Sequence, residues 1–505
     1  MPARSSPIAA LLQRMSLCAA LTLGLTCLGA PTDATTGGRL SHADLLWLQR
    51  LTYGVDSATI ERFRRLGKAG FLAEQLDGTN DRLPDSVQKT IDALDISHIS
   101  MANVIADLAA RRREAQSASN EAKLEARKEY VRQGVAEVRQ VDERELLRAV
   151  YSPAQLKEQM NWFWLNHFNV FARKGPEPWL LADYSEHAIR PFALGRFRDL
   201  VMATLTHPAM LIYLDNARNA HGKINENYAR ELMELHTLGV DAGYTQKDVQ
   251  ELARILTGVS IALPDTQRRA LRVQPLQIGD GAFAFYPVRH DYGDKVLLGH
   301  TIRGRGFAEV EEAVDLLVRQ PACARLISRQ LAQYFVADEP PPALVTAMAQ
   351  TFQASDGDIR AVLRTLFASQ EFTVSLGAKF KDPMHYVVSA LRFTCDGAPI
   401  PNPDAALGWL NSQGEAPFAH QTPDGYALTE TGWASSGQLS RRFEIARAIA
   451  SGHPDLAPAD AEARGLFAQA LRPWLSPTTL AALDQATSPQ ERGTFLLASP
   501  EFNYR

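Results

Sequence analysis

Cysteine is scarce in this chain: four residues in 505, at positions 18, 27, 323 and 395, with no Cys-x-x-Cys spacing anywhere. That excludes a thiolate-built zinc site and a disulfide framework. Long apolar runs are missing too. The one candidate, Met15 to Leu28, is too short to span a bilayer but has the length of a signal-peptide core, with Arg4 and Arg14 before it and small residues after it. We therefore read residues 1–34 as a signal peptide and its cleavage region. Pro31 disfavours a cut after Ala30, and Ala34 is the alternative. The mature chain is expected to be periplasmic or secreted, with no transmembrane anchor. Leu17 and Thr26 precede Cys18 and Cys27 where a lipoprotein signal wants a small residue, and there is no twin-arginine pair. In the mature chain Cys323 and Cys395 can pair or stay as buried thiols; both readings stand.

An excess of charge of either sign is also lacking. Lys and Arg number 53 against 57 Asp and Glu, net −4, so the phosphate neutralisation that dominates nucleic-acid affinity has no global driving force, and no nucleic-acid partner is expected. No Gly-x-Ser-x-Gly elbow, phosphate loop, dinucleotide fingerprint or His-Glu-x-x-His helix occurs, which removes the commonest serine hydrolase, nucleotide and zinc-protease readings.

What is present is helical pattern. With 46 % hydrophobic and 22 % charged residues the composition is that of a globular protein. Ser41 and Asp44 make a capping-box-like start before Leu45, Leu48 and Leu51, and Gly54 follows. Residues 101–150 hold no proline and one glycine, Gly134, and read as one or two long polar helices. After Ser152 the texture turns aromatic, and Leu156, Met160, Phe163, Trp164 and His167 fall on one helical stripe. Further helices are expected over 178–214 and 225–238, and another opening at Thr245 with Asp248. Between Arg268 and Ile302 the pattern moves toward alternation, which predicts one β-hairpin. Helices resume at Phe307. A Pro/Gly/Asn-rich loop then carries Trp409, Phe418, Tyr426 and Trp433, and a helix pair precedes Pro500. The fold class is mainly α: a large helical, bundle-like body with one small β-hairpin and an irregular aromatic-rich loop. Residues 35–505 form a single large domain on this reading, divisible into an N-terminal lobe (35–150) and a core lobe (151–505).

Several long stretches together resemble one family: LLRAVYSPAQLKEQMNWFWLNHFNVF, IRPFALGRFRDLVMAT, HPAMLIYLDN, NENYARELMELHTLGVDAGYTQKDVQELARILTG, HDYGDKVLLG, FQASDGDIRAVLRTLFASQEF and LLASPEFNYR. They are similar to the exported bacterial proteins of domain-of-unknown-function family 1800. The resemblance implies a mostly helical exported protein, often encoded beside a sulfatase-like exported protein, and implies no reaction. This chain departs from it at two places: Phe192 follows Arg190-Pro191 where a histidine is expected, and His187 stands where the family tends to carry an acid.

The strongest chemical candidate is the run Asn225 to His236. Asn227, Glu231 and Glu234 fall at i, i+4 and i+7, with Arg230 one turn from Glu234. A partly buried carboxylate pair pushes one pKa upward, as acid/base catalysis needs. Glu231, Glu234 and His236 are the candidate catalytic groups. With His167 they are also the candidate ligands of a divalent metal. Asn227, Arg230, His290 and Asp291 are candidate binding residues. Against this stands a structural reading: an Arg230 ion-pair network, Asn227 satisfying a backbone group, His167 in the core, and Asp291 ordering an Asp-x-Gly turn at Gly293. Asp215 and Asp358 are read as helix caps. Two functions remain: hydrolytic or lyase chemistry on an envelope or extracellular carbohydrate polymer, or a non-enzymatic binding or assembly role with the sulfatase-like partner.

Overall fold

Ser41 accepts the Asp44 amide and so starts the first helix, α1 (His42–Leu51), whose Leu45, Trp47, Leu48 and Leu51 are buried. The computed structural model describes residues 40–117, 119–262, 276–277, 282–456 and 466–505. The signal-peptide segment lies outside these, as does part of the stretch read as alternating. No helix among the described residues is long and apolar enough to cross a membrane. Residues 39–505 form one compact unit, and one hydrophobic cluster extends from Leu40 to Phe502.

Helix α2 (Ser57–Asp77) is interrupted at Gly67, where φ is +68°. Helix α3 (Asp85–Asp92) is short, and α4 (Met101–Ser117) and α5 (Asn120–Tyr151) are the two long polar helices. Along α5 the environment changes. Its first half is exposed, whereas Glu143, Arg144 and Glu145 are buried beside Leu146 and Leu147. Gly134 is needed where α5 meets the 3₁₀ turn Glu177–Trp179: an added Cβ would lie 3.2 Å from the Trp179 ring and 3.3 Å from Pro178.

Helix α6 (Gln155–His167) carries the predicted stripe, and its other faces are almost wholly buried too. A helix buried all round must satisfy its polar side chains inside the protein. Gln155 Nε2 donates to the Ala149 and Ser152 carbonyls, and Arg190 grips Glu158 through two bonds of 3.0 and 2.5 Å. Arg505 and His385 converge on Gln159 Oε1, each at 3.0 Å.

The alternating stretch contains the expected hairpin, β4 (Lys295–Leu297) with β5 (His300–Ile302). Beside it lies a three-stranded antiparallel sheet in the order β1 (Val259–Ile261), β3 (Phe283–Phe285), β2 (Leu276–Gln277), which the sequence pattern does not separate. The aromatic loop packs on the body. Phe418 and Trp433 are buried, the Phe418 carbonyl accepts the Ala172 amide, and Tyr426 N donates to Asn166 Oδ1 at 2.6 Å. Cys323 and Cys395 are both buried, and no disulfide joins them. Asp358 caps the helix Ile359–Phe367, and Asp215, with φ of +61°, follows the helix Pro208–Tyr213.

Candidate functional site

The predicted polar helix is built from two kinds of turn. Asn227–Glu231 is α-helical, and Leu232–Thr237 is a π-helix in which Thr237 Oγ1 donates to the Leu232 carbonyl and the Leu238 amide to that of Met233. Asn227, Glu231 and Glu234 share one face of a 3.6-residue wheel, whereas His236, nine positions after Asn227, already falls about 180° away on it. The side chains accordingly part company. Asn227 Nδ2 donates to the Leu214 carbonyl at 3.2 Å. Arg230 bonds Glu234 and Glu226, each at 3.2 Å, and Gln246 at 2.8 Å, on a half-exposed surface. Glu231 has its carboxyl raised, first by burial and then by Glu234, in the direction expected of the pair.

His236 turns the other way, into the core. Its ring is buried 5.0 Å from that of Phe168 and 5.8 Å from that of His167, and neither nitrogen has a hydrogen-bond partner. Burial holds it well below the usual histidine range. His167 lies in an aromatic cage of Phe163, Trp164, Phe168 and Phe197, and its Nε2 is 3.0 Å from the His236 carbonyl, to which it donates. Burial lowers it to about 4. His167, Glu231, Glu234 and His236 do not converge as one ligand set: among the described residues no three His, Cys, Asp or Glu side chains come together as a metal requires.

His290 and Asp291 belong to a different cluster. Asp291 receives Arg254 through bonds of 2.9 and 3.1 Å and the Gly293 amide at 2.9 Å, the Asp-x-Gly turn; the Arg254 bonds keep its carboxyl well below the usual range. His290 Nδ1 donates to the Thr257 carbonyl at 2.8 Å, and Nε2 faces Glu309 Oε1 at 3.0 Å.

A cavity of about 300 Å³ lies elsewhere, where α3, α4, α5 and the segment 179–187 meet. Its apolar lining includes Ile91, Ile96 and Met101, and its polar lining Glu137, Arg144, Arg148, Asp183, Glu186 and His187. Three of these sit on or beside a second π-helix, Tyr184–Ile189. Glu186 meets Arg148 at 2.6 Å and Arg144 at 3.6 Å. Burial alone would raise its carboxyl, but the charge and hydrogen bond of Arg148, then Arg144, outweigh burial and leave it at about 2. Glu137 is driven the opposite way, raised by burial and by Asp95 against the weaker pull of Arg111. Behind the wall, Glu145 accepts Ser185 Oγ at 2.9 Å and Asn161 Nδ2 at 3.0 Å and sits among Arg144, Arg148 and Arg190, so the two cavity arginines stand on a buried, bonded platform.

Sequence reasoning did not single out this group, because helical periodicity marks α5 as a solvated polar helix. One signal was available: charged residues 143–145 and 148 alternate closely with Leu146, Leu147 and Val150. The other was His187 itself, one of the two departures from the family pattern. The second departure, Phe192, is half-buried against the core.

The model of one family, described as a protein of unknown function (DUF1800), matches residues 46–504. No curated protein and no solved structure matches the chain.

Proposed function

The chain belongs to the DUF1800 family, whose function is not established, and we propose that it is an exported hydrolase or lyase of an envelope or extracellular carbohydrate polymer. The signal-peptide anatomy of residues 1–34 supports export. The observation that carries the chemistry is that one cavity holds two carboxyls pushed in opposite directions, Glu137 up and Glu186 down. Such a split suits one group to give a proton while the other stays ionised. The lining also bears on the substrate. Arg144 and Arg148 already face Glu186, and Asp92, Glu137 and Asp183 add further carboxyls, so among the described residues the lining holds no arginine or lysine without a carboxylate beside it. A neutral or amino sugar fits this wall.

Mature protein incubated with purified envelope glycan and neutral extracellular polysaccharides is expected to release new chain ends. Glu137→Gln should lower that rate by about 100-fold or more, the usual worth of a positioned acid. Glu231→Gln on the polar helix should leave it unchanged; loss there, with Glu137→Gln still active, would move the site to Glu231, Glu234 and His236. No release by folded wild-type protein from any of these polymers refutes the enzymatic reading.

A second reading is supported by one observation. Leu124, Val131 and Val135 on the outer half of α5 are 56 %, 57 % and 66 % exposed. An apolar strip on a polar helix suits a docking role beside a sulfatase-like exported protein. Co-purification of the two proteins, abolished by Val131→Glu, is the outcome that reading requires.

A further inference from the structure

We propose that His187 is the proton acceptor of this cavity and that Asp183 and His207 are the positioning residues that fix its tautomer. The inference rests on the hydrolytic reading above. Its basis is a chain of hydrogen bonds whose proton positions are dictated by their ends.

The Ala209 amide donates to His207 Nδ1 at 3.1 Å, so that nitrogen carries no proton. The proton of the neutral His207 ring is then on Nε2, which donates to Asp183 Oδ2 at 2.9 Å. The other carboxylate oxygen, Oδ1, lies 2.8 Å from His187 Nδ1. A carboxylate only accepts, so His187 holds its proton on Nδ1 and leaves the lone pair of Nε2 free. His207 is buried and Asp183 largely so, while the His187 side chain is 66 % exposed on the cavity wall. The free nitrogen is thus the open end of a relay whose other end is anchored to the first turn of the helix Pro208–Tyr213. A simple surface ion pair explains Asp183 with His187 at i, i+4. It does not explain why the same carboxylate is tied from behind by a second, buried imidazole in a fixed tautomer. The arrangement matches what a general base requires: an oriented ring with a carboxylate that stabilises the imidazolium once formed.

In the hydrolytic step a water proton passes to His187 Nε2 as the water oxygen bonds to the anomeric carbon. The glycosidic C–O bond breaks, and the leaving oxygen takes the proton of the Glu137 carboxyl. Solvent then removes the proton from His187 and returns one to Glu137, which closes the cycle.

Nitrogen-15 spectra of the full mature chain, with His187 assigned by loss of its signals in His187→Gln, read the tautomer directly. The expected ring is Nδ1-protonated when neutral, and Asp183→Asn should shift it toward the Nε2-protonated form. Diethyl pyrocarbonate gives a second readout that needs no substrate. His187 should be acylated faster than His300, an exposed histidine on β5, and Asp183→Asn should abolish that advantage. Should Asp183→Asn not fold, His207→Gln, which leaves Asp183 in place, serves instead and should weaken both signatures. An Nε2-protonated ring in the wild type, or acylation no faster than that of His300, overturns the relay. Where glycan cleavage is seen, His187→Gln should lower kcat about 100-fold with little change in KM, and full turnover in that variant overturns the assignment. Absence of cleavage by the wild type counts against the hydrolase reading alone, because tautomer and acylation still decide the relay.

Discussion

Glu309 and Lys295 face each other at 2.5 Å with neither side chain exposed. Glu309 also faces His290, accepts the Gly306 amide at 2.8 Å at the start of the helix Phe307–Val318, and accepts that of Arg305. One carboxylate therefore ties the β4–β5 hairpin, the His290 turn and a helix together. Glu309→Gln removes the charge that Lys295 needs and is expected to cost about 3–5 kcal/mol in denaturant unfolding. A loss under about 1 kcal/mol would show the hub to be dispensable.

The buried histidines set an acid limit. His167 stands at about 4 in the folded protein against an ordinary value of 6.5. A lowered value means that the unfolded chain binds more protons between these limits. Its contribution is then complete above pH 6.5 and lost as pH falls toward 4. His167→Gln, which keeps a donor for the His236 carbonyl, should flatten the pH dependence of stability in that window by on the order of 3 kcal/mol. Chemical denaturation at pH 7.5, 5.5 and 4.5 checks it, and an unaltered slope would remove His167 as the cause.

His236→Phe separates structure from chemistry at the polar helix. Both ring nitrogens lie buried without partners, so an apolar ring of similar shape should leave the unfolding free energy unchanged or raise it by up to about 1 kcal/mol, measured by chemical denaturation. A loss above about 2 kcal/mol would mean that the imidazole is bonded after all.

Gly425 joins the aromatic loop to α6. Its φ is +72°, and a Cβ there would lie 2.3 Å from the Asn166 carbonyl oxygen. Gly425→Ala is expected to destabilise by about 2 kcal/mol and to expose Tyr426 and Trp433, read as a red shift in tryptophan emission. An unshifted spectrum with unchanged stability would show that the loop closes some other way.

The helical body was legible because its signals are local. Ser41, Thr245 and Asp358 each cap a helix as their spacing predicts, and the Leu156-to-His167 stripe is buried. The loop aromatics pack on the body for the reason that made them stand out, since Phe418 and Trp433 are too apolar to leave in water. The site was legible only in part. Arg230, Glu234, Asn227 and Asp291 make the pairings their types and spacing suggest, whereas His236 is buried against Phe168 and His167, apart from the two carboxylates. The cavity depends on Glu137, Asp183 and His187, which lie up to fifty positions apart and meet only through packing between helices. No periodicity within one segment encodes that meeting.

Two of the three π-helices among the described residues, Tyr184–Ile189 and Leu232–Thr237, each hold one residue more than an α-turn needs. Deleting a single residue from either would let the helix relax to ordinary winding and rotate every later side chain by about 100°. His187 would leave the cavity wall in one case and His236 its aromatic seat in the other. At both places geometry is set by a count of residues as well as by their identity. A protein with the same side chains and one link fewer would lose the aim of its histidines.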